Sequence, residues 1–195
     1  MRERYEPPTQ YAWIVYAVAM MMFGGLAGYI IAIESGRSAA AAVYSGNAPP
    51  PAAASVDDAQ LRAYREILAR DPKSVQAAVA AGNLLYDARR YPEAIGFYEQ
   101  AFALNGSDIN VSTDLGTALW YSGRADAALA QYQKSLAIDA SHGQTLFNVG
   151  IVRADGKQDY VGAVEAWETL LRTNPAYPEA ARVRTLISDA KAKMR

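Results

Sequence analysis

The hydrophobic pattern changes character twice along the chain. Residues 11–33 (YAWIVYAVAMMMFGGLAGYIIAI) hold 23 positions without Asp, Glu, Lys or Arg. At about 1.5 Å per residue such a helix reaches roughly 35 Å, enough to cross a hydrocarbon core of about 30 Å with some tilt. Tyr11, Trp13 and Tyr16 at one end and Tyr29 near the other stand where interfacial rings stand. The pattern predicts a single transmembrane helix. A cleaved signal peptide is the other reading, with Ser38-Ala39-Ala40-Ala41 as a small-residue site, but signal h-regions run about 7–15 residues and this run is longer. Arg2, Arg4 and the terminal amine precede the span and Arg37 follows it. The positive-inside bias therefore places residues 1–10 in the cytoplasm and the remainder outside. Gly24 and Gly28 are spaced to permit close contact with a second helix.

Residues 34–55 follow no period of 2 or 3.6. They are rich in Ala, Ser, Gly and Pro, with Pro49-Pro50-Pro51 in the middle. Too few large apolar side chains are present to close a core, so the segment reads as a flexible linker with a stiff polyproline centre. At about 5–6 Å × √n, it holds the next domain on the order of 25 Å from the bilayer.

From Ser55 onward the apolar spacing becomes helical. Ser55-Val56-Asp57-Asp58 reads as a helix start with acid in the first turn, and the helix carries Leu61, Tyr64 and Leu68 and stops at Asp71-Pro72. Beyond it the chain repeats itself. Gly82, Gly116 and Gly150 are spaced 34 residues apart. Ala94, Ala128 and Ala163 follow, the last one residue late, then the aromatics Tyr98, Tyr132 and Trp167. Each unit closes at a turn: Asn105-Gly106, Asp139-Ala140-Ser141 and Asn174-Pro175. A helix pair of this period needs a small residue where the helices cross and a large ring to fill the next gap. Pro178-Glu179 then opens a closing helix to about Lys193, with Ala181, Val183, Leu186 and Ile187 on one face and cations on the other.

Composition narrows the chemistry. The 195 residues carry 19 Lys+Arg against 20 Asp+Glu, a net charge of −1, which argues against a nucleic-acid partner. There is no Cys, and His142 is the one His, so thiolate metal sites, Cys-x-x-Cys-His haem attachment and a Cys nucleophile are all absent. No glycine-rich phosphate loop occurs, and the acidic residues scatter over turns and exposed faces. Neither a cofactor, a metal nor a small-molecule substrate is expected, and the chain does not read as an enzyme.

The recurrence of glycine, alanine and aromatic resembles the tetratricopeptide repeat (TPR) family over roughly residues 75–177. The family's tryptophan near the start of each first helix is replaced by Ala78, Ser112 and Leu146, and the third unit has an extra residue in its inter-helix turn, residues 155–159. The resemblance implies an all-α chain: the N-terminal transmembrane helix, then an α-solenoid of three helix hairpins (75–108, 109–142 and 143–177). Capping helices flank the hairpins, a half repeat over 56–74 and a closing helix over 178–195.

In the family, the first helix of each unit lines a concave groove that accepts a partner polypeptide. By resemblance the groove positions here are Gln76, Val79, Asn83 and Tyr86, with Asp87; Asn110, Thr113, Thr117, Trp120 and Tyr121; and Gln144, Phe147 and Ile151, with Ala154 and Asp155. Relatives that clamp a C-terminal carboxylate use Lys and Arg in this groove, whereas three of the corresponding places here hold Val79, Asp114 and Asn148. A clamp for an anion is therefore not expected. The rings can bury apolar anchors while the amides bond a peptide backbone, or they can pack between repeats.

A narrower likeness comes from the closing AVEAWETLL (163–171) and EAARVR (179–184) together with the anchor. These are similar to the repeat subunits of bacterial c-type cytochrome maturation, which hold apocytochrome segments for the haem lyase. That likeness implies a single-pass protein of the bacterial inner membrane with its repeats on the periplasmic side. The expectation is a membrane-anchored adaptor or assembly chaperone, or else a permanent scaffold subunit of a membrane complex or a homo-oligomer.

Overall fold

The computed structural model describes residues 57–195. The expected cytoplasmic tail, span and tether (1–10, 11–33 and 34–55) lie outside the described residues. Among the described residues, no helix is long and apolar enough to cross a membrane.

Eight α-helices follow one another: α1 (Asp58–Arg70), α2 (Val75–Asp87), α3 (Tyr91–Leu104), α4 (Ile109–Tyr121), α5 (Ala125–Ile138), α6 (Gly143–Ile151), α7 (Tyr160–Thr173) and α8 (Ala180–Lys193). A π-helical turn, Val152–Gly156, continues α6. The described residues contain helices and turns, with no strand among them. Helices pack chiefly on their chain neighbours, α2 on α3, α4 on α5 and α6 on α7, and α8 covers α7. The fold is thus a solenoid of hairpins.

Local chemistry starts and stops these helices. Asp57 caps α1 by accepting from the Ala59 and Gln60 amides at 3.0 and 3.1 Å, and Asp108 caps α4 through the Asn110 and Val111 amides at 3.0 and 3.2 Å. Ser74 and Asp159 cap α2 and α7 in the same way. The first helices of repeats one and two end on a left-handed residue, Arg89 (φ 58°) and Gly123 (φ 77°). The next amide, of Arg90 or Arg124, turns back to the carbonyl of Leu85 or Leu119 at 2.8 and 3.0 Å. This closure satisfies carbonyls that the helix end leaves open.

The third repeat carries its extra residue differently from the expected longer turn. Arg89 and Gly123 stand seven residues after their repeat glycines, whereas the left-handed Gln158 (φ 53°) stands eight after Gly150. The surplus is absorbed upstream, in the π-helical turn, and the closing bond lengthens its reach to Asp159 N–Arg153 O at 2.8 Å. An insertion that widens a helical turn keeps its backbone bonded, which an enlarged loop would not.

Each repeat glycine sits beneath its aromatic. A methyl group at Gly82 would come within 2.7 Å of Tyr98 Cε1, one at Gly116 within 2.5 Å of Tyr132 Cε1, and one at Gly150 would strike the Trp167 indole. The three rings are almost fully buried, and each polar tip bonds to the facing helix. Tyr98 donates to Asn83 Oδ1 at 2.8 Å, Tyr132 to Thr117 Oγ1 at 3.0 Å and Trp167 to the Phe147 carbonyl at 3.1 Å. Buried rings with polar tips need such partners.

Ala78, Ser112 and Leu146, in place of the family's tryptophan, are all buried. Ser112 accepts from Gln131 at 2.8 Å and from Ser135 at 2.7 Å, so a closed polar network occupies that part of repeat two.

The crossings give a paired prediction. Gly116→Ala should lower the unfolding free energy of the full chain by about 1–3 kcal/mol through overpacking. Gly96→Ala, in open space on α3, should raise it by about 0.5–1 kcal/mol through helix propensity. Denaturant titrations followed by circular dichroism read both. Equal effects at the two glycines would show that the crossings are not close-packed.

Candidate functional site: the wall formed by the first helices

The first helices α2, α4 and α6 each present one stripe, three to five residues apart, on the side opposite their partners. Gln76, Asn83, Asn110 and Gln144 are exposed there, as are Asp87 and Asp155. Val79, Tyr86, Thr117, Trp120 and Tyr121 are half-buried. The other expected groove positions are not open. Thr113, Phe147, Ile151 and Ala154 are buried, with relative exposures of 3%, 4%, 2% and 8%.

Packing explains these losses. Phe147 stacks on Tyr177 at 6.2 Å, and the guanidinium of Arg182 lies 5.4 Å over its other contact area. The closing helix and its leading turn thus cover the third repeat's stretch of wall. Thr113 Oγ1 donates to the Ile109 carbonyl at 2.7 Å and lies 2.8 Å from Thr145 Oγ1. The Thr145 proton must therefore go to Thr113. His142 Nδ1, 2.7 Å from Thr145, is then the donor. Burial lowers the pKa of His142, so its neutral form with Nδ1–H fits this chain, and its ring joins the packing between repeats two and three.

A second chain of bonds runs along the open wall. Gln144 donates to Asn148 Oδ1 at 3.0 Å, Asn148 to Thr117 Oγ1 at 3.1 Å, and Thr117 to the Thr113 carbonyl at 2.9 Å. These amides are oriented by their neighbours before any ligand arrives, which lowers the entropic cost of using them.

Three tyrosines gather where repeats one and two meet. Tyr91 and Tyr121 stack at 4.9 Å, and Tyr86 meets them edge-on at 5.3 and 6.1 Å. Burial first, then the neighbouring phenols and Asp114, push the Tyr86 hydroxyl well above the ordinary range, so that hydroxyl stays neutral. Trp120 is placed differently. A methyl at Gly156 would come within 2.6 Å of Trp120 Cζ3, so the indole lies on the π-helical turn of repeat three and packs between repeats.

Two residues of this site escape the stripe rule. Tyr91 begins a second helix, and only its neighbours in space bring it to the wall. Asp114 lies two residues before its repeat glycine, half-buried on the side of α4 that faces α2. Burial raises its carboxyl from 3.8 to about 6, with further pushes from Asp108 and Asp87. A carboxylate beside Leu115 on a core-facing helix was the available signal for it. On the opposite face, α3, α4 and α5 line a cleft of about 350 Å³ with Phe102, Leu115, Leu119 and Gln131.

The folded value of Asp114 exceeds the unfolded one, so the native state binds its proton more tightly. The resulting destabilisation is absent well below pH 4, grows between about pH 4 and pH 6, and is complete above that. Asp114→Asn should therefore stabilise the full chain at pH 7.5, by on the order of 1–2 kcal/mol once partial access to water is allowed for. The gain should shrink toward zero at pH 4. A melting series across this range checks the sign, and a variant that melts below the parent at pH 7.5 refutes it.

Comparison with known proteins agrees with this architecture. Residues 52–108 match the family model described as tetratricopeptide repeat. No curated protein matches the sequence significantly. Among solved structures, that of MamA superposes with a TM-score of 0.64 at 22% identity, covering 69% of this chain and 76% of that one. The Yersinia enterocolitica type III secretion chaperone SycD, in complex with a peptide of the translocator YopD, gives 0.59 at 17% identity, covering 63% and 95%. PcrH in complex with the chaperone binding region of PopD gives 0.59 at 19% identity, covering 64% and 96%. At these identities the likeness concerns the fold. Residues 52–108 thus carry the tetratricopeptide-repeat signature, and the described domain as a whole has the tetratricopeptide-repeat fold.

Proposed function

We propose that the chain is a membrane-anchored adaptor or assembly chaperone that holds a segment of a partner polypeptide on the wall formed by α2, α4 and the start of α6. Residues 11–33 anchor it in the bacterial inner membrane, and residues 34–55 tether the repeats on the periplasmic side. The supporting observation is the half-buried tyrosine cluster of Tyr86, Tyr91 and Tyr121, flanked by the exposed amides of Gln76, Asn83, Asn110 and Gln144. Rings of this kind bury apolar anchors at little entropic cost, and the amides satisfy a bound backbone. SycD and PcrH, which share the fold, have been solved with polypeptide segments of their partners. Holding and presentation require no catalytic group. Presentation of apocytochrome segments during cytochrome maturation is a narrower form of the same proposal and rests on the closing sequence alone.

Site-specific photocrosslinking tests the reading. A benzophenone amino acid replaces Asn110 or Gln144 on the wall, or Gln133 on the exposed side of α5, in the full chain within its native membrane. Discrete adducts are expected from positions 110 and 144 and not from 133. Adducts from 133 alone, or none from the wall, would remove the groove from the function. A partner that co-purifies at fixed stoichiometry through mild-salt and detergent washes without irradiation would mark a permanent scaffold subunit.

A further inference from the structure

The wall carries its charge unevenly. Asp87 and Asp114 belong to the junction of repeats one and two, and none of the ion pairs among the described residues uses either. The groups facing Asp114 are Tyr86 and Asp87 of α2, Tyr98 of α3, Asp108 before α4, and Tyr132 of α5. None is a cation. Arg89 acts on the nearby Tyr91, and the charges acting on Asp114 are the other two carboxylates.

The third repeat shows what this arrangement accepts. Asp155 stands five residues after Gly150, as Asp87 stands five after Gly82, and Tyr160 begins its second helix as Tyr91 does. There the chain supplies the cation itself. Lys193 of α8 lies 5.2 Å over the Tyr160 ring and draws the Asp155 carboxyl down against its burial, while Arg182 sits over Phe147. In the first repeat, Tyr121 approaches Tyr91 instead, ring on ring, and among the described residues no ion pair uses Asp87.

We propose that the junction of repeats one and two takes a partner segment presenting Lys or Arg beside an apolar side chain, with the cation received by Asp87, Asp114 and the Tyr86 ring. This rests on the groove reading above and gives it a ligand class. Charge complementarity carries it: two carboxylates that no ion pair among the described residues uses, beside aromatic faces that attract cations, match a basic amphipathic segment of the kind α8 provides on repeat three. An acidic or purely apolar segment would leave both carboxylates uncompensated.

The test uses the full chain in non-ionic detergent and two fluorescein-labelled 16-residue peptides. Both have the same Leu and Ala positions; one carries four Lys and the other four Glu. Anisotropy at pH 7.5 and low salt should show the Lys peptide binding at least tenfold more tightly. Asp87→Asn and Asp114→Asn should each weaken the Lys peptide at least fivefold with melting unimpaired, and Glu165→Gln, exposed on α7, should leave it unchanged. Binding should also weaken at pH 5, where Asp114 takes up its proton. Equal affinity for the two peptides, full affinity in both Asn variants, or no binding of the Lys peptide overturns the proposal. Equal affinities that Tyr121→Ala abolishes would refute the charge preference while leaving the groove itself in place, and wall crosslinks judge the groove independently.

Discussion

A glycine held against an aromatic ring governs the geometry of each hairpin. Gly82 lies under Tyr98, Gly116 under Tyr132 and Gly150 under Trp167, closely enough that no side chain fits between them. The contact brings the first helix onto the second at a set depth. The ring's polar tip then bonds back to the first helix, one residue past the glycine in repeats one and two. Close approach, dispersion and one hydrogen bond therefore act at the same point. With that crossing fixed, the opposite stripe of each first helix is left facing outward, and the wall exists because the crossings are buried.

Departures from the repeat are accommodated without breaking this constraint. The extra residue of repeat three widens the helix for one turn, and Gly150 keeps its place under Trp167. The π-helical turn also gives Trp120 a backbone surface to lie on, at Gly156. An insertion at one level becomes an inter-repeat contact at the next. The lost tryptophan volume in repeat two is handled by chemistry, with Ser112, Gln131 and Ser135 satisfying one another in a buried cluster.

The ends of the stack differ in a way that bears on function. At the C-terminal end α8 lays Arg182 and Lys193 across the rings of repeat three, closing that stretch of wall. At the junction of repeats one and two, the equivalent places hold tyrosines and carboxylates, and none of the ion pairs among the described residues uses Asp87 or Asp114. Burial among other carboxylates raises the Asp114 carboxyl there, so its ionised form is disfavoured by the fold.

The fold was legible because its signals are local and periodic. The 34-residue return of glycine and aromatic, the helix start at Ser55–Asp58 and the turn residues each act within a few positions of where they stand. The stripe of first-helix residues came from the resemblance to the repeat family, whose register places Gln76, Asn83, Asn110 and Gln144 on the groove face, and all four are exposed. What spacing could not decide was depth. Phe147 and Ile151 occupy the same stripe positions as Val79 and Thr117, yet they are buried. The closing helix, which begins at Ala180, folds over Phe147, and bonds within the stack enclose Thr113. Tyr91 joined the site for the converse reason, brought to it by neighbours distant in sequence. Periodicity determines which way a side chain faces, whereas only the packing of successive helices determines what stands in front of it.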